Sequence, residues 1–135
     1  MNKVNYIVGV AAIVLIAVLT SVRTPQKQAP PAYNAAAEVS VSGIVGETKE
    51  FFCPISDEQG LHVVLRTGEG NVLVHVAPAR FLRSQQFVIS PNDQISVVGT
   101  RVNYQSEDAM LAREITRGNE VLILRDHQGT PIWKR

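Results

Sequence analysis

The stretch of sequence that decides the fold is residues 61–76, LHVVLRTGEGNVLVHV. Leucine or valine occupies every second position on both sides of a glycine-rich centre, residues 68–71. Alternation with a period of two is typical of strands that bury one face. Two such runs joined by a short glycine-rich segment predict a β-hairpin. With residues 68–71 as the turn, Thr67 pairs with Val72 and the alternating apolar side chains face the core.

Strand patterns continue on both sides of this hairpin. Before it, residues 39–45 predict a strand with a bend or bulge at Gly43. Residues 46–60 predict a long loop that contains a cluster of apolar residues around Cys53. After it, Pro78 opens a short helix that runs to Gln86. Further strands follow at residues 95–99, 101–104, 109–116 and 121–124.

This element order predicts the fold class. Three strands, a short helix and two more strands, with an extra hairpin or tail, match a mainly β, OB-like five-stranded Greek-key barrel. An SH3-like barrel or a small sandwich is the alternative.

Length and composition exclude several classes of protein. The chain has 135 residues, 45% of them hydrophobic and 19% charged, which suits one small domain. Cys53 is the only cysteine, so an intrachain disulfide is excluded and the thiol is buried, free or paired between chains. Every acidic residue lies at Glu38 or later, where 10 Lys/Arg face 12 Asp/Glu. A net charge of about −2 over this part lacks the excess of positive charge that phosphate binding requires, which disfavours nucleic-acid binding as a function.

The N-terminal residues predict a membrane segment. Between Lys3 and Arg23 lie 19 uncharged residues, enough for a helix that crosses the hydrocarbon core. We therefore predict a single transmembrane anchor or signal sequence over residues 1–23 and a Pro/Ala-rich linker over residues 24–37. The OB-like domain follows over residues 38–135. No small-residue cleavage site follows directly, which favours an uncleaved anchor with the domain on the extracytoplasmic, periplasmic side; secretion after signal cleavage is the alternative.

The histidines are the candidate metal ligands. In the predicted register His62 and His75 lie on the solvent face as diagonal neighbours, roughly 7 Å apart at Cα. Such a pair could share a transition-metal ion, with Cys53, Asp57 or Glu58 as a further ligand. Alternatively, both are ordinary surface residues of the sheet. His127, in a polar turn, is expected at the surface. No cofactor is assigned beyond this ion, and the CxxCH motif of c-type haem attachment is absent.

The remaining patterns favour binding over catalysis. No nucleophile elbow, phosphate loop or dinucleotide fingerprint occurs, so the chain is not expected to be an enzyme. Cys53 has no cation near it in the sequence that would activate the thiol. A protein partner would dock on the open sheet face, at Val64, Arg66 and Leu73. Tyr104 is the one ring suited to stacking, which a single-strand nucleic-acid or oligosaccharide binder would need.

Three segments resemble a known bacterial family. They are residues 72–82 (VLVHVAPARFL), residues 95–101 ending in VGTR, and residues 124–133 (LRDHQGTPIW). Together they resemble the exported domain shared by the magnetosome proteins MamS and MamX. The resemblance implies a membrane-tethered accessory protein, close to metal or redox handling or to biomineralisation. His75 matches the histidine of the family motif, whereas Pro91-Asn92-Asp93 replaces a turn that usually has Gly before the acid.

Overall fold

The computed structural model describes residues 29–135. This part of the chain is mainly β, with one short α-helix, as predicted. The elements in chain order are β1 (Glu38–Cys53), β2 (Glu58–Thr67), β3 (Gly70–Pro78), α1 (Ala79–Gln85), β4 (Gln94–Tyr104), β5 (Glu107–Arg117) and β6 (Glu120–Ile123). Single 3-10 turns lie at Ala35–Ala37 and Ile132–Lys134.

The predicted membrane segment, residues 1–23, and residues 24–28 of the predicted linker lie outside the described residues. Within residues 29–135 no helix has the length and apolar character that a membrane span requires.

The strands form one sheet in the order β3-β2-β1-β4-β5-β6, with each neighbouring pair antiparallel. β3 also pairs with β5 in parallel, at Leu73–Ala109, Val74–Met110 and His75–Leu111. The pairings therefore run in a ring through β1, β2, β3, β5 and β4, and β6 extends the sheet from β5. Helix α1 follows the third strand and begins directly after Pro78, as the sequence predicted.

The core contains the alternating side chains of the hairpin that were predicted to face inward. Val63, Leu65, Val72, Val74 and Val76 each expose 2% of their surface or less. Apolar side chains of the later strands and of the C-terminal segment complete the cluster. Burial of these β-branched and leucine side chains is the main stabilising term of a domain of this size.

The predicted long loop over residues 46–60 is wrong, because β1 continues to Cys53 and pairs with β2 as far as Cys53–Glu58. A β-bulge at Gly46 shifts the register between Val45 and Glu47. The extra residue breaks the period-two pattern, which hid the second half of the strand. The bulge therefore lies at Gly46 and not at Gly43. At Gly43 the strands approach closely, because a Cβ atom there would lie 2.2 Å from the carbonyl oxygen of Arg66 in β2.

The predicted hairpin register is also wrong. Thr67 pairs with Gly70, so that the turn contains only Gly68 and Glu69. A two-residue turn is the commonest hairpin connection, and Gly70 adopts a positive φ of 122° beside it. The shorter turn brings His62 directly opposite His75 instead of diagonally across from it.

Candidate metal centre

Three strand segments bring Cys53, His62 and His75 together. Cys53 is the last residue of β1, His62 lies near the start of β2, and His75 lies opposite it on β3. The Cys53 Sγ lies 3.4 Å from Nδ1 of His75. One ligand atom from each of the three residues can be chosen so that all lie within 4.8 Å of one another. Cys53, one of the three residues suggested as a further ligand, therefore lies beside the two histidines that the sequence predicted as metal ligands.

The other two suggested partners do not join the cluster. Asp57 is exposed in the turn between β1 and β2, where its φ is 59°. Glu58 is bound by Arg80, whose Nε donates to the carboxylate at 2.7 Å. The candidate ligand set is therefore one thiol and two imidazoles.

His62 is not a surface residue, which corrects the predicted solvent face. It exposes 1% of its surface, and the ring of Phe51 stacks on it with centroids 3.8 Å apart and an interplanar angle of 8°. This cover exists because β1 continues alongside β2 past the Gly46 bulge. Both the solvent-facing metal pair and the alternative of two ordinary surface histidines assumed an open face, and that assumption is wrong.

The hydrogen bonding of His62 presents a free lone pair. Its Nδ1 lies 3.1 Å from the carbonyl oxygen of Gly60, and because a carbonyl only accepts, this nitrogen carries the proton. The neutral ring then holds its lone pair on Nε2, which is buried and has no hydrogen-bond partner among residues 29–135. A backbone carbonyl on one nitrogen and an open lone pair on the other is the usual arrangement of a metal-ligating histidine.

The environment keeps both rings in the neutral form that metal ions require. Burial and, to a smaller extent, the nearby His62 lower the pKa of His75 to about 4. Burial also lowers the pKa of His62, an effect that the backbone carbonyls of Gly60 and Lys49 partly oppose. The rings meet edge to face, with centroids 4.5 Å apart and an interplanar angle of 80°. Neither ring needs to lose a proton near neutral pH before it binds a metal.

The C-terminal segment lines the same small pocket. Arg125 and Trp133 border it together with Leu111 of β5, next to the three candidate ligands. The guanidinium of Arg125 lies over the ring of Trp133 at 5.3 Å and over the ring of Tyr33 at 5.1 Å. One of its nitrogens donates to the carbonyl of Gly129 at 2.9 Å. A cation therefore does lie near Cys53, contrary to the sequence interpretation.

The predicted partner-binding residues differ in their exposure. Arg66 is exposed, and Val64 and Leu73 are half-buried neighbours across the β2–β3 ladder. Tyr104 exposes only 7% of its surface, so its prediction as an exposed stacking ring is wrong. Tyr104 is the last residue of β4 and pairs with Glu107 of β5.

Sequence reasoning missed two features of this site. Phe51 was treated as part of a loop, and Arg125 was separated from Cys53 by 72 positions, so no local pattern joined them. His127 is exposed, as expected, and takes no part in the cluster.

The MamS/MamX magnetosome protein family model matches residues 37–122. The chain belongs to this family. The match covers more than half of the chain and includes all three candidate ligands, whereas Arg125 and Trp133 lie beyond it. No individual curated protein matches the chain. The family resemblance predicted from the sequence is thus confirmed. Two of the segments that carried it, residues 72–82 and 95–101, lie inside the match, and the third, residues 124–133, lies beyond it.

Proposed function

We propose that this MamS/MamX-family chain is a non-catalytic accessory module that binds a transition-metal ion through Cys53, His62 and His75. The observation that carries the proposal is the convergence of three donor atoms from three strands, with one buried imidazole nitrogen left unpartnered among the described residues. An unsatisfied buried polar atom costs about 1–3 kcal/mol. A metal ion at this position would remove that cost.

The donor set indicates which ions suit the site. Thiolate and imidazole are the ligands of zinc and copper, whereas calcium and magnesium prefer oxygen. Cys53 exposes 4% of its surface, and binding would release the thiol proton to solvent as the metal–sulfur bond forms. With three protein donors, a tetrahedral ion would have its fourth position open to water or to an exogenous ligand.

We further propose an OB-like barrel as the scaffold. The parallel β3–β5 pairing links five strands in a ring, and α1 lies between the third and fourth strands, as in that fold. The ring holds the ends of β1, β2 and β3 in fixed register, which would preorganise the three ligands.

The cellular placement is a proposal as well. The uncharged N-terminal run supports a single membrane anchor, with the domain on the extracytoplasmic side of a magnetosome-associated or cytoplasmic membrane. A protein partner at Val64, Arg66 and Leu73 stays a prediction. The nucleic-acid or oligosaccharide alternative loses its support, because it depended on an exposed Tyr104 ring.

Cobalt binding tests the proposed function. The full-length chain, purified in detergent under reducing conditions, would be titrated with Co²⁺, whose absorption spectrum reports thiolate coordination. We expect one equivalent to bind with a thiolate charge-transfer band. The Cys53→Ser variant should lose the band, and His62→Ala should lose most of the affinity.

His127→Ala is the matched control, because it removes an exposed histidine outside the cluster. It should bind cobalt as the unaltered chain does. The proposal fails if the unaltered chain binds none of cobalt, zinc and copper, or if His127→Ala weakens binding as much as His62→Ala does.

A further inference from the structure

The charges around the candidate metal centre distinguish between monovalent and divalent ions. The residues that line its pocket include no carboxylate. The charged groups in the lining are the guanidinium of Arg125 and, once a metal binds, the thiolate of Cys53. These two charges cancel, so the bound ion contributes the whole net charge of the site. A divalent ion would leave two positive charges there and a monovalent ion only one.

In the described part of the chain, no carboxylate forms an ion pair with Arg125. Its hydrogen bond goes to an uncharged acceptor, the carbonyl of Gly129, and its faces meet the rings of Tyr33 and Trp133. Among residues 29–135 its Nε is buried without a partner. The pKa of Arg125 is lowered, mainly by burial, and a guanidinium nevertheless keeps its proton at physiological pH. The positive charge is therefore a permanent part of the site.

The coordination that the chain offers favours the same kind of ion. Three donors, one of them a soft thiolate, suit trigonal Cu(I), whereas zinc in proteins prefers four ligands in a tetrahedron. The Sγ–Nδ1 distance of 3.4 Å between Cys53 and His75 matches donors that share one small ion. Apolar Leu61, Leu111 and Trp133 border the pocket, so among residues 29–135 its lining offers no fourth protein donor beside the three ligands other than the hydroxyl of Ser56.

We propose that the centre is selective for Cu(I) and that Arg125 is the residue that disfavours divalent ions. This inference rests on the proposed metal-binding function, and it adds both the ion and the source of its selectivity. Arg125 acts through space, without binding the metal, so its role is electrostatic. The ion enters as Cu⁺ and the Cys53 thiol releases one proton, with no change of oxidation state.

Competition titrations test the inference on the full-length chain in detergent, under anaerobic reducing conditions. Cu(I) would be partitioned against bicinchoninate, and Zn²⁺ against a chromogenic zinc chelator. For a unit charge on the order of 10 Å from the ion, Coulomb's law at an effective dielectric constant of about 20 changes the Zn²⁺/Cu(I) affinity ratio by roughly one order of magnitude. Arg125→Gln should therefore raise this ratio about tenfold, mainly by strengthening zinc binding.

Three further variants isolate the charge. Arg125→Met is neutral and keeps a long apolar stem between the rings, so it should raise the ratio as Arg125→Gln does even if one of the two folds poorly. Arg125→Lys keeps the charge and should preserve the ratio. Arg101→Gln removes an exposed arginine that pairs with Asp108 and should change the ratio less than twofold.

The possible outcomes distinguish failure of the proposed metal binding from failure of the proposed selectivity. Failure of the unaltered chain to bind either ion would overturn the proposed function itself. Binding of both ions, with the ratio unchanged in the neutral Arg125 variants, would overturn the selectivity role and leave the metal site standing. Tighter binding of Zn²⁺ than of Cu(I) by the unaltered chain would overturn the choice of ion.

Discussion

Replacing Phe51 by alanine tests whether its ring holds His62 in place. Phe51 and Phe52 are adjacent residues of β1 and are exposed by 40% and 53%, so Phe52→Ala is a closely matched control. The ring of Phe51 stacks on His62, with centroids 3.8 Å apart. The two variants therefore remove similar side chains, and only one of them uncovers the histidine.

The expected difference follows from burial and stacking. For a side chain with about 200 Å² of surface, the 13% difference in exposure is about 25 Å², worth about 0.6 kcal/mol. An aromatic stack adds about 0.5–1.5 kcal/mol. We therefore expect Phe51→Ala to lower the free energy of unfolding by about 1–2 kcal/mol more than Phe52→Ala. The comparison uses the difference between two variants, because differences in buried area are more reliable than absolute sums.

Two measurements check this expectation. Urea unfolding of the metal-free chain gives the free energies of unfolding, and cobalt titration gives the affinities. Loss of a group that orients a ligand costs about 10–100-fold in metal affinity, so Phe51→Ala should bind cobalt at least about tenfold more weakly. Phe52→Ala should bind it as the unaltered chain does. Equal losses of stability and of affinity in the two variants would refute the role of the stack.

Three further predictions concern the scaffold. Gly99→Ala should lower the free energy of unfolding by about 3 kcal/mol or more, since the new Cβ would lie 2.1 Å from a β5 carbonyl oxygen. Gly68 has open space around it, so Gly68→Ala should change the free energy of unfolding, measured in urea, by no more than about 0.5 kcal/mol. Hydrogen bonds from Arg113 lower the pKa of Glu38 in the folded chain. The Glu38 carboxylate therefore stabilises the fold above the unfolded pKa of 4.5, and this contribution is lost as the pH falls through the lowered pKa. Glu38→Gln should then be about 1 kcal/mol less stable at pH 7, a gap that narrows in acid unfolding curves. Burial and, after it, the hydrogen bond to Glu38 raise the pKa of Tyr33 to about 12. The stability that this group contributes below pH 10 should therefore be lost as the pH rises from 10 to 12. In alkaline unfolding curves, Tyr33→Phe should not show this loss.

Most of the fold could be predicted because its signals are local. The alternation in residues 61–76 indicated both strands of the hairpin and the side chains that face the core, and Pro78 marked the start of α1. These features depend on neighbours two to four positions apart, which a single sequence shows directly. The family resemblance was visible for the same reason, since it rests on short contiguous segments.

The errors came from differences of one or two residues that displace every later pairing. A turn of two residues instead of four changed each pairing partner of β2, and the bulge at Gly46 concealed the second half of β1. Side chains alternate with a period of two, so one inserted residue changes which face every later side chain occupies. Neither change alters the composition or the overall apolar pattern, and the sequence alone offered little to detect them.

The candidate metal centre depends on both of these features together. The short turn sets His62 opposite His75, and the continuation of β1 past its bulge brings Cys53 within 3.4 Å of His75 while Phe51 covers His62. An insertion of one residue into the Gly68–Glu69 turn would therefore separate the two histidines and leave the core pattern of β1 unchanged. Such a variant should fold with less stability and lose cobalt binding, whereas a site formed by flexible surface histidines would keep most of its affinity. The register of one hairpin thus links the fold to the proposed function.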